Sequence, residues 1–118
     1  MGVGQGGVQT VSDLEVSTFQ KRPCYRYIRT ADKLPALGSG ARVARVKLFD
    51  PCSGWTWYLA EYDPETRQAY GVVVGNETER GYFDMGEIVS HRSNGFGLPI
   101  ERDLHWTPCP LSEIAGAS

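Results

Sequence analysis

The stretch KLFDPCSGWTWYLAEYDPETRQAYGVVVG, residues 47–75, contains the clearest pattern of strands and turns in the chain. It holds the end of one apolar run and two complete ones, and the two turns between them each begin with Asp-Pro. An aspartate at the first position of a turn accepts backbone hydrogen bonds, and the proline after it restricts φ to about −65°. The stretch therefore predicts three consecutive antiparallel strands.

The three apolar runs, residues 42–49, 55–62 and 69–74, differ in the composition of their faces. Residues 42–49 alternate between an apolar and a mixed face, which is typical of a half-exposed strand. The other two runs are apolar on both faces, which predicts central strands. Shorter strands are predicted at residues 25–29, 81–83 and 100–106.

Two segments have the pattern of short helices. Asp84 stands where a helix N-cap is expected, and Glu87 follows three residues later, as in a capping box. These residues predict a helix over residues 85–92. Residues 110–114 begin with proline and predict a second short helix. We therefore expect an α+β fold, a four- to five-stranded antiparallel β-meander packed against one or two short helices.

The length of the chain, 118 residues, is that of one domain. Residues 1–20 begin with a Gly-rich segment that has little to bury, so we expect a flexible N-terminal tail there. Residues 21–118 are expected to form a single α+β domain.

The cysteine pattern favours a cytoplasmic location. The three cysteines, at positions 24, 52 and 109, have no C-x-x-C spacing, and an odd number cannot be fully paired within one chain. We interpret them as free thiols. No apolar run approaches the roughly 20 residues that cross a bilayer, and the N-terminus lacks the features of a secretory signal. We expect no association with a membrane.

Charge is distributed unevenly along the chain. Residues 21–47 contain eight basic residues and one acid, whereas residues 48–118 contain eleven acids and four arginines. One interpretation is that the two halves neutralise each other within one fold. The other is that one of them binds a charged partner, either nucleic acid through the basic half or a basic protein through the acidic half.

No motif indicates catalysis or a bound cofactor, and we assign no catalytic residue and no metal ligand. Glu101, Asp103 and His105 would share one side of an extended segment, where they could bind a metal or polarise water, but such spacing is common by chance. A hydrolase built on His105 is the least favoured hypothesis. His91 is interpreted as complementing a helix C-terminus, and Cys52 as an ordinary thiol in a turn.

Aromatic residues recur along the predicted sheet. Such residues can stack on nucleotide bases, but on strands that are apolar on both faces they are more often part of the core, which is the interpretation we favour. The set is Trp55, Trp57, Tyr58, Tyr62, Tyr70, Tyr82 and Phe83.

The run GLPIERD, residues 97–103, followed by Trp106, is the most specific motif of the chain. With residues 47–49 and 81–82 it resembles an uncharacterised-domain family of small proteins that plasmids, phages and conjugative elements carry. The resemblance implies a protein of a mobile genetic element, often encoded beside anti-restriction and DNA-maintenance genes, and implies no known activity or cofactor. Physically, the run can also act as a structural clasp, since its charged residues can pair with the basic sheet edge.

The first functional hypothesis is therefore a small non-enzymatic accessory protein of a mobile element, which binds a host defence or DNA-processing protein. Its oligomeric state is left open. The residues predicted to form the protein-binding surface are Glu77, Glu79, Glu101, Arg102 and Asp103. The alternative is nucleic-acid binding through the basic segment 21–47. The residues predicted for it are Arg22, Tyr25, Arg26, Tyr27, Arg29, Arg42 and Arg45.

Overall fold

The computed structural model describes residues 13–16, 26–91 and 99–114. In chain order the elements are β1 (Asp13–Val16), β2 (Arg26–Arg29), β3 (Val43–Ala44), β4 (Val46–Phe49), β5 (Thr56–Asp63), β6 (Gln68–Val74), β7 (Thr78–Asp84), α1 (Met85–Ser90), β8 (Glu101–Arg102) and β9 (Cys109–Pro110). Two short 3₁₀ turns complete them, at Thr30–Asp32 and Leu111–Glu113.

The main sheet has five strands in the order β7, β6, β5, β4, β8. Every neighbouring pair in it is antiparallel, and β4 to β7 form an uninterrupted meander. The predicted antiparallel meander is thus confirmed. The described part of the chain is mostly β, and α1, of six residues, is short. Two smaller sheets pair β1 with β2 and β3 with β9.

Both Asp-Pro turns form as the sequence predicts. In the first, the carbonyl of Asp50 accepts the amide of Gly54 at 3.0 Å, and Gly54 takes a φ of +83°, which glycine adopts without strain. In the second, the carbonyl of Asp63 accepts the amide of Arg67 at 2.7 Å. Each aspartate also accepts, through its side chain, the amide two residues later. These turns set the order of β4, β5 and β6.

Each face of the sheet covers its own apolar cluster. The face that bears Leu48, Trp57 and Leu59 packs against α1, β2 and Ile100, and is called the helix face below. The opposite face bears Ala60 and Val72 and packs against the segment around Leu111, and is called the C-terminal face. Two clusters on two faces explain why β5 and β6 are apolar on both sides.

Strand β1 joins the fold through a buried charge. Glu15, 1% exposed, accepts two hydrogen bonds from the guanidinium of Arg67, at 2.7 and 3.0 Å, and one from the hydroxyl of Tyr62. Burial raises the pKa of the Tyr62 hydroxyl, and the hydrogen bond to Glu15 raises it further. The prediction of a flexible tail over residues 1–20 is therefore wrong at Asp13–Val16, which pairs with β2, and the rest of that tail lies outside the described residues.

Several predicted boundaries shift. The fourth strand of the meander was expected at residues 81–83 but spans Thr78–Asp84, because its polar first half lies at the sheet edge, where burial does not require an apolar pattern. The predicted strand at residues 42–49 is divided into β3 and β4, and of residues 100–106 only Glu101–Arg102 is a strand. The helix predicted at residues 110–114 is a single 3₁₀ turn.

The prediction that the aromatic set belongs to the core is correct only in part. Tyr62 is buried, while Trp57, Tyr58, Tyr70 and Phe83 are half-buried. Trp55 and Tyr82 are exposed, at 40% and 62% of their surface, because each lies where the sheet ends: Trp55 just before β5, and Tyr82 on the edge strand β7.

Candidate functional site

A cleft of about 570 Å³ opens on the helix face of the sheet. The 50–54 turn forms one side of it, and the end of β7 together with α1 forms the other. Its volume lies within the range of roughly 300–1,000 Å³ that is usual for ligand-binding pockets. This cleft is the candidate functional site of the molecule.

The apolar surface of the cleft consists of two isoleucines, Ile88 and Ile100, and three aromatic side chains, Trp55, Trp57 and Phe83. The rings of Trp55 and Trp57 lie with their centroids 6.3 Å apart at an interplanar angle of 38°. Trp55 packs closely on Gly75, where an added Cβ would lie 2.5 Å from the indole ring. The absence of a side chain at position 75 therefore allows the indole to pack on the backbone just after β6, beside the cleft.

Three carboxylates lie among these aromatic rings: Asp50, Asp84 and Glu87. Asp50 is only 5% exposed, and its side chain accepts the amide of Cys52 at 2.9 Å and contacts the Nε2 atom of His91 at 3.2 Å. Asp84 caps α1 by accepting the amide of Gly86 at 2.7 Å, as predicted for this residue. Two of the three carboxylates are thus held in place by the backbone.

The described lining residues include no lysine and no arginine, so the cleft has a formal charge of −3 with His91 neutral. The contact with Asp50 orients the imidazole of His91 toward the 50–54 turn, a tertiary role that the helix-end interpretation did not include. Cys52 is an exposed turn thiol that borders the same cleft. The arrangement is chemically suited to holding a cation between acidic and aromatic groups.

The predicted acidic residues Glu77 and Glu79 lie beside this cleft. Glu77 precedes β7, Glu79 lies within it, and both are exposed. Glu79 is paired with Val73, which is paired with Trp57, so Glu79 shares the helix face with the aromatic rings. Phe83 and Asp84 continue the same strand into the cleft. The outer edge of β7 therefore leads from Glu77 and Glu79, past the exposed Arg80, to Asp84 in the cleft.

The remaining predicted residues of the binding surface lie at the opposite edge of the sheet. Glu101 and Arg102 form β8, at the edge opposite β7, so four strand spacings of about 4.8 Å each, roughly 19 Å, separate the two groups. The five residues predicted as one surface, Glu77, Glu79, Glu101, Arg102 and Asp103, are therefore not contiguous, since sequence patterns do not reveal strand order.

Arg102 has a structural position. Its guanidinium and the Asp32 carboxylate, each 10% exposed, form two hydrogen bonds of 2.7 Å, and the same guanidinium donates to the carbonyl of Tyr27 at 3.0 Å. Burial by itself raises the pKa of Asp32, but the bonds from Arg102 and from the backbone amide of Arg29 outweigh it, and the pKa is lowered. Arg102 thus links β8 to β2 and to the 3₁₀ turn at Thr30–Asp32.

Asp103 and Glu101 flank Arg102 at the β8 edge of the sheet. Asp103 accepts the amide of His105, which is the main reason that its pKa is lowered, and it forms an ion pair with Lys47 at 3.4 Å. Glu101, paired with Phe49 at the sheet edge, is half-buried. The pairing of this run with a basic residue of β4 agrees with the structural clasp that the sequence suggests.

The described residues of the set predicted for nucleic-acid binding differ in exposure. Tyr27 is fully buried and its hydroxyl donates to the carbonyl of Ile100, so it cannot stack on a base, contrary to the prediction. Arg42 is exposed, while Arg29 and Arg45 are half-buried. Arg22, Tyr25 and the side chain of Arg26 lie outside the described residues.

Residues 13–16, 26–91 and 99–114 form neither a metal site nor a membrane-spanning helix. No group of three or more histidine, cysteine or carboxylate side chains there is placed to hold a metal ion. None of the helices in these ranges has the length and apolar composition that crossing a membrane requires.

Sequence reasoning missed the cleft because each of its residues has a sufficient local explanation. Asp50 reads as a turn residue, Trp55 as core and Glu87 as part of a helix cap. The available signal was the position of Trp55, directly after a turn, where a strand end is least covered. The convergence of Asp50, Trp55 and Glu87 on the cleft depends on the pairing of β5 and β6 and on the placement of α1.

Comparisons with known proteins identify a family but no activity. A family model described as "Protein of unknown function (DUF2958)" matches residues 22–117. Neither the curated proteins nor the solved structures contain a match to the chain.

Proposed function

The chain belongs to the DUF2958 family of proteins of unknown function, and from this premise and its surface we propose that it is a non-enzymatic accessory protein of a mobile genetic element. It acts in the cytoplasm by binding a host defence or DNA-processing protein. The mobile-element origin is supported by the resemblance of residues 97–103 and the accompanying motifs. The binding role is supported by the surface described above.

The observation that carries the proposal is the acidic outer edge of β7. This strand is seven residues long and ends the main sheet, and within the described residues no strand pairs with its outer side. An open edge offers backbone donors and acceptors to an extended segment of another protein. Glu77, Glu79 and Asp84 place negative charge on this edge, and they outnumber its one basic residue, Arg80.

Charge complementarity indicates the kind of partner. Proteins that act on DNA carry lysine and arginine where they contact the phosphate backbone. An acidic surface is complementary to such a protein and increases the rate of encounter with it. A basic extended segment of a DNA-processing protein is therefore the partner that fits the β7 edge.

The test is capture followed by measured affinity. The full chain is used to capture proteins from host cells, and the captured DNA-processing protein is purified and titrated at two salt concentrations. The double variant Glu77→Lys/Glu79→Lys should bind it at least about tenfold more weakly, because repulsion replaces attraction at the edge. The matched control is Glu65→Lys, an exposed acid in the turn between β5 and β6, which should bind as the wild type does.

Equal affinity of the double variant and the control contradicts the proposal. Nucleic-acid binding through the basic segment 21–47 is the second candidate, and the exposed Arg42 is the observation that favours it. A mobility shift of DNA at low salt that is lost in Arg42→Glu, with no captured protein, would replace the first candidate by the second.

A further inference from the structure

We infer that the cleft binds the guanidinium group of an arginine side chain that the protein partner presents, an inference that rests on the function proposed above. Three properties of the cleft lead to this ligand: its charge, its aromatic walls and its position at the end of the β7 edge. Each excludes some of the alternatives.

The charge of the cleft excludes anionic ligands. Asp50, Asp84 and Glu87 give it a formal charge of −3, and its described lining has no basic residue other than His91. A phosphate or a carboxylate would meet three like charges there. A cation is attracted by all three carboxylates, of which Asp84 also lies close to the guanidinium of Arg67.

The aromatic walls favour a flat cation. A guanidinium group is planar, stacks on an indole ring and is less strongly hydrated than an ammonium group. Trp55 is 40% exposed, and its position on Gly75 holds the ring at the opening of the cleft. An exposed indole that is held in place loses little freedom when a ligand stacks on it.

The carboxylates match the donors of a guanidinium group. A carboxylate has about four acceptor positions, so Asp84, which caps α1 through Gly86, retains the capacity to accept from a ligand. Glu87 lies on the exposed side of α1, where its side chain can turn toward the bound group. Arginine has five N–H donors in a fork that pairs with carboxylates, whereas lysine has a single ammonium.

The position of the cleft indicates how an arginine side chain of the partner would reach it. Phe83 and Asp84 belong both to the end of β7 and to the cleft. An extended segment that pairs with the outer edge of β7 therefore continues toward the cleft, where one of its side chains can enter. A volume of about 570 Å³ leaves room for the whole arginine side chain.

The experiment measures binding of Nα-acetylarginine methylamide to the full chain by NMR. The indole N–H signals are followed, since Trp55 and Trp57 line the cleft, while the indole of Trp106 donates to the carbonyl of Ala44 on the C-terminal face and serves as an internal control. We expect shifts of the first two signals, with a dissociation constant on the order of 1 mM. The uncharged citrulline analogue should bind about tenfold more weakly, because it cannot form charged hydrogen bonds.

Variants locate the binding. Glu87→Gln should weaken binding of the arginine compound several-fold, whereas Glu65→Gln, at the exposed turn between β5 and β6, should leave it unchanged. Equal binding of the arginine and citrulline compounds overturns the inference without requiring any variant. Equal binding of the lysine analogue overturns the assignment of a guanidinium group, and shifts confined to Trp106 overturn the location.

The two proposals fail separately. If the partner is captured and depends on Glu77 and Glu79 but the arginine compound does not bind, the inference is wrong and the protein-binding function stands. If the arginine compound binds and no partner depends on the β7 edge, the cleft is a cation site and the proposed function is wrong.

Discussion

Glu61 shows how neutral hydrogen-bond donors stabilise a single buried charge. Its carboxylate, on β5, accepts the amides of Gly38 at 2.9 Å and Ala41 at 2.8 Å and the hydroxyl of Ser39 at 3.4 Å. Burial by itself raises the pKa of this group, but the surrounding donors outweigh it, and the pKa lies below the ordinary value of 4.5. One side chain thereby holds the 38–41 loop on the sheet.

A pH titration of stability tests this role. Since the pKa of Glu61 is lower in the folded chain, its carboxylate stabilises the fold above pH 4.5, and this contribution is lost as the pH falls through the folded pKa. At pH 7 we expect Glu61→Gln to lower the free energy of unfolding by about 1–3 kcal/mol. The difference from wild type, measured by urea denaturation, should shrink below pH 4.5. A difference in the free energy of unfolding that stays constant down to about pH 3 would contradict this role of Glu61.

At the scale of elements, the pairing of β5 and β6 depends on close backbone contact. The register of the two strands shifts between Leu59 and Glu61, which leaves Ala60 as an extra residue. Gly71 lies opposite this irregularity, and an added Cβ would lie 1.7 Å from the carbonyl oxygen of Tyr58. Glycine is required there by steric exclusion, since its φ is not in the left-handed region.

Two glycine substitutions in neighbouring strands separate this effect from strand propensity. Gly71→Ala should lower the free energy of unfolding by about 3 kcal/mol or more, because backbone must move to admit the methyl group. Gly81→Ala, on β7, should change it by less than about 0.5 kcal/mol, because no atom lies within 4 Å of the added Cβ. Urea denaturation of both full-length variants is the measurement, and equal losses would show that the close contact is not the cause.

At the scale of the whole molecule, the two ends of the described chain are joined by polar contacts over long sequence separations. Arg102 reaches Asp32 and the carbonyl of Tyr27, and the hydroxyl of Tyr27 reaches the carbonyl of Ile100. These bonds cross between β2 and β8 on the helix face. Arg102, which was predicted as a binding residue, therefore stabilises the fold.

Substitution of neighbouring residues in β8 distinguishes these roles. Arg102→Met should lower the free energy of unfolding by about 3 kcal/mol, because it leaves the buried carboxylate of Asp32 without its charged partner. Glu101→Gln should lower it by less than about 0.5 kcal/mol, as expected of a half-buried edge residue. Thermal unfolding of the two variants is the measurement. A stable Arg102→Met protein that had lost its partner would restore Arg102 to the binding surface.

The features of this protein that depend on residues a few positions apart could be predicted from the amino-acid sequence. Asp50 and Asp63 start their turns, Gly54 takes its positive φ and Asp84 caps α1, because each of these preferences acts through the local backbone. Apolar patterning likewise identified β5 and β6 as central strands.

Which distant residues meet depends on the three-dimensional fold. It separated Glu79 from Glu101 by the width of the sheet, buried Tyr27, and brought Asp50 together with His91 in the cleft. The polar half of β7 was missed as a strand for a related reason, since an edge strand is defined by the neighbour that pairs with it. Strand order and register set these distances, and they result from the packing of the whole chain, which no short segment of sequence encodes.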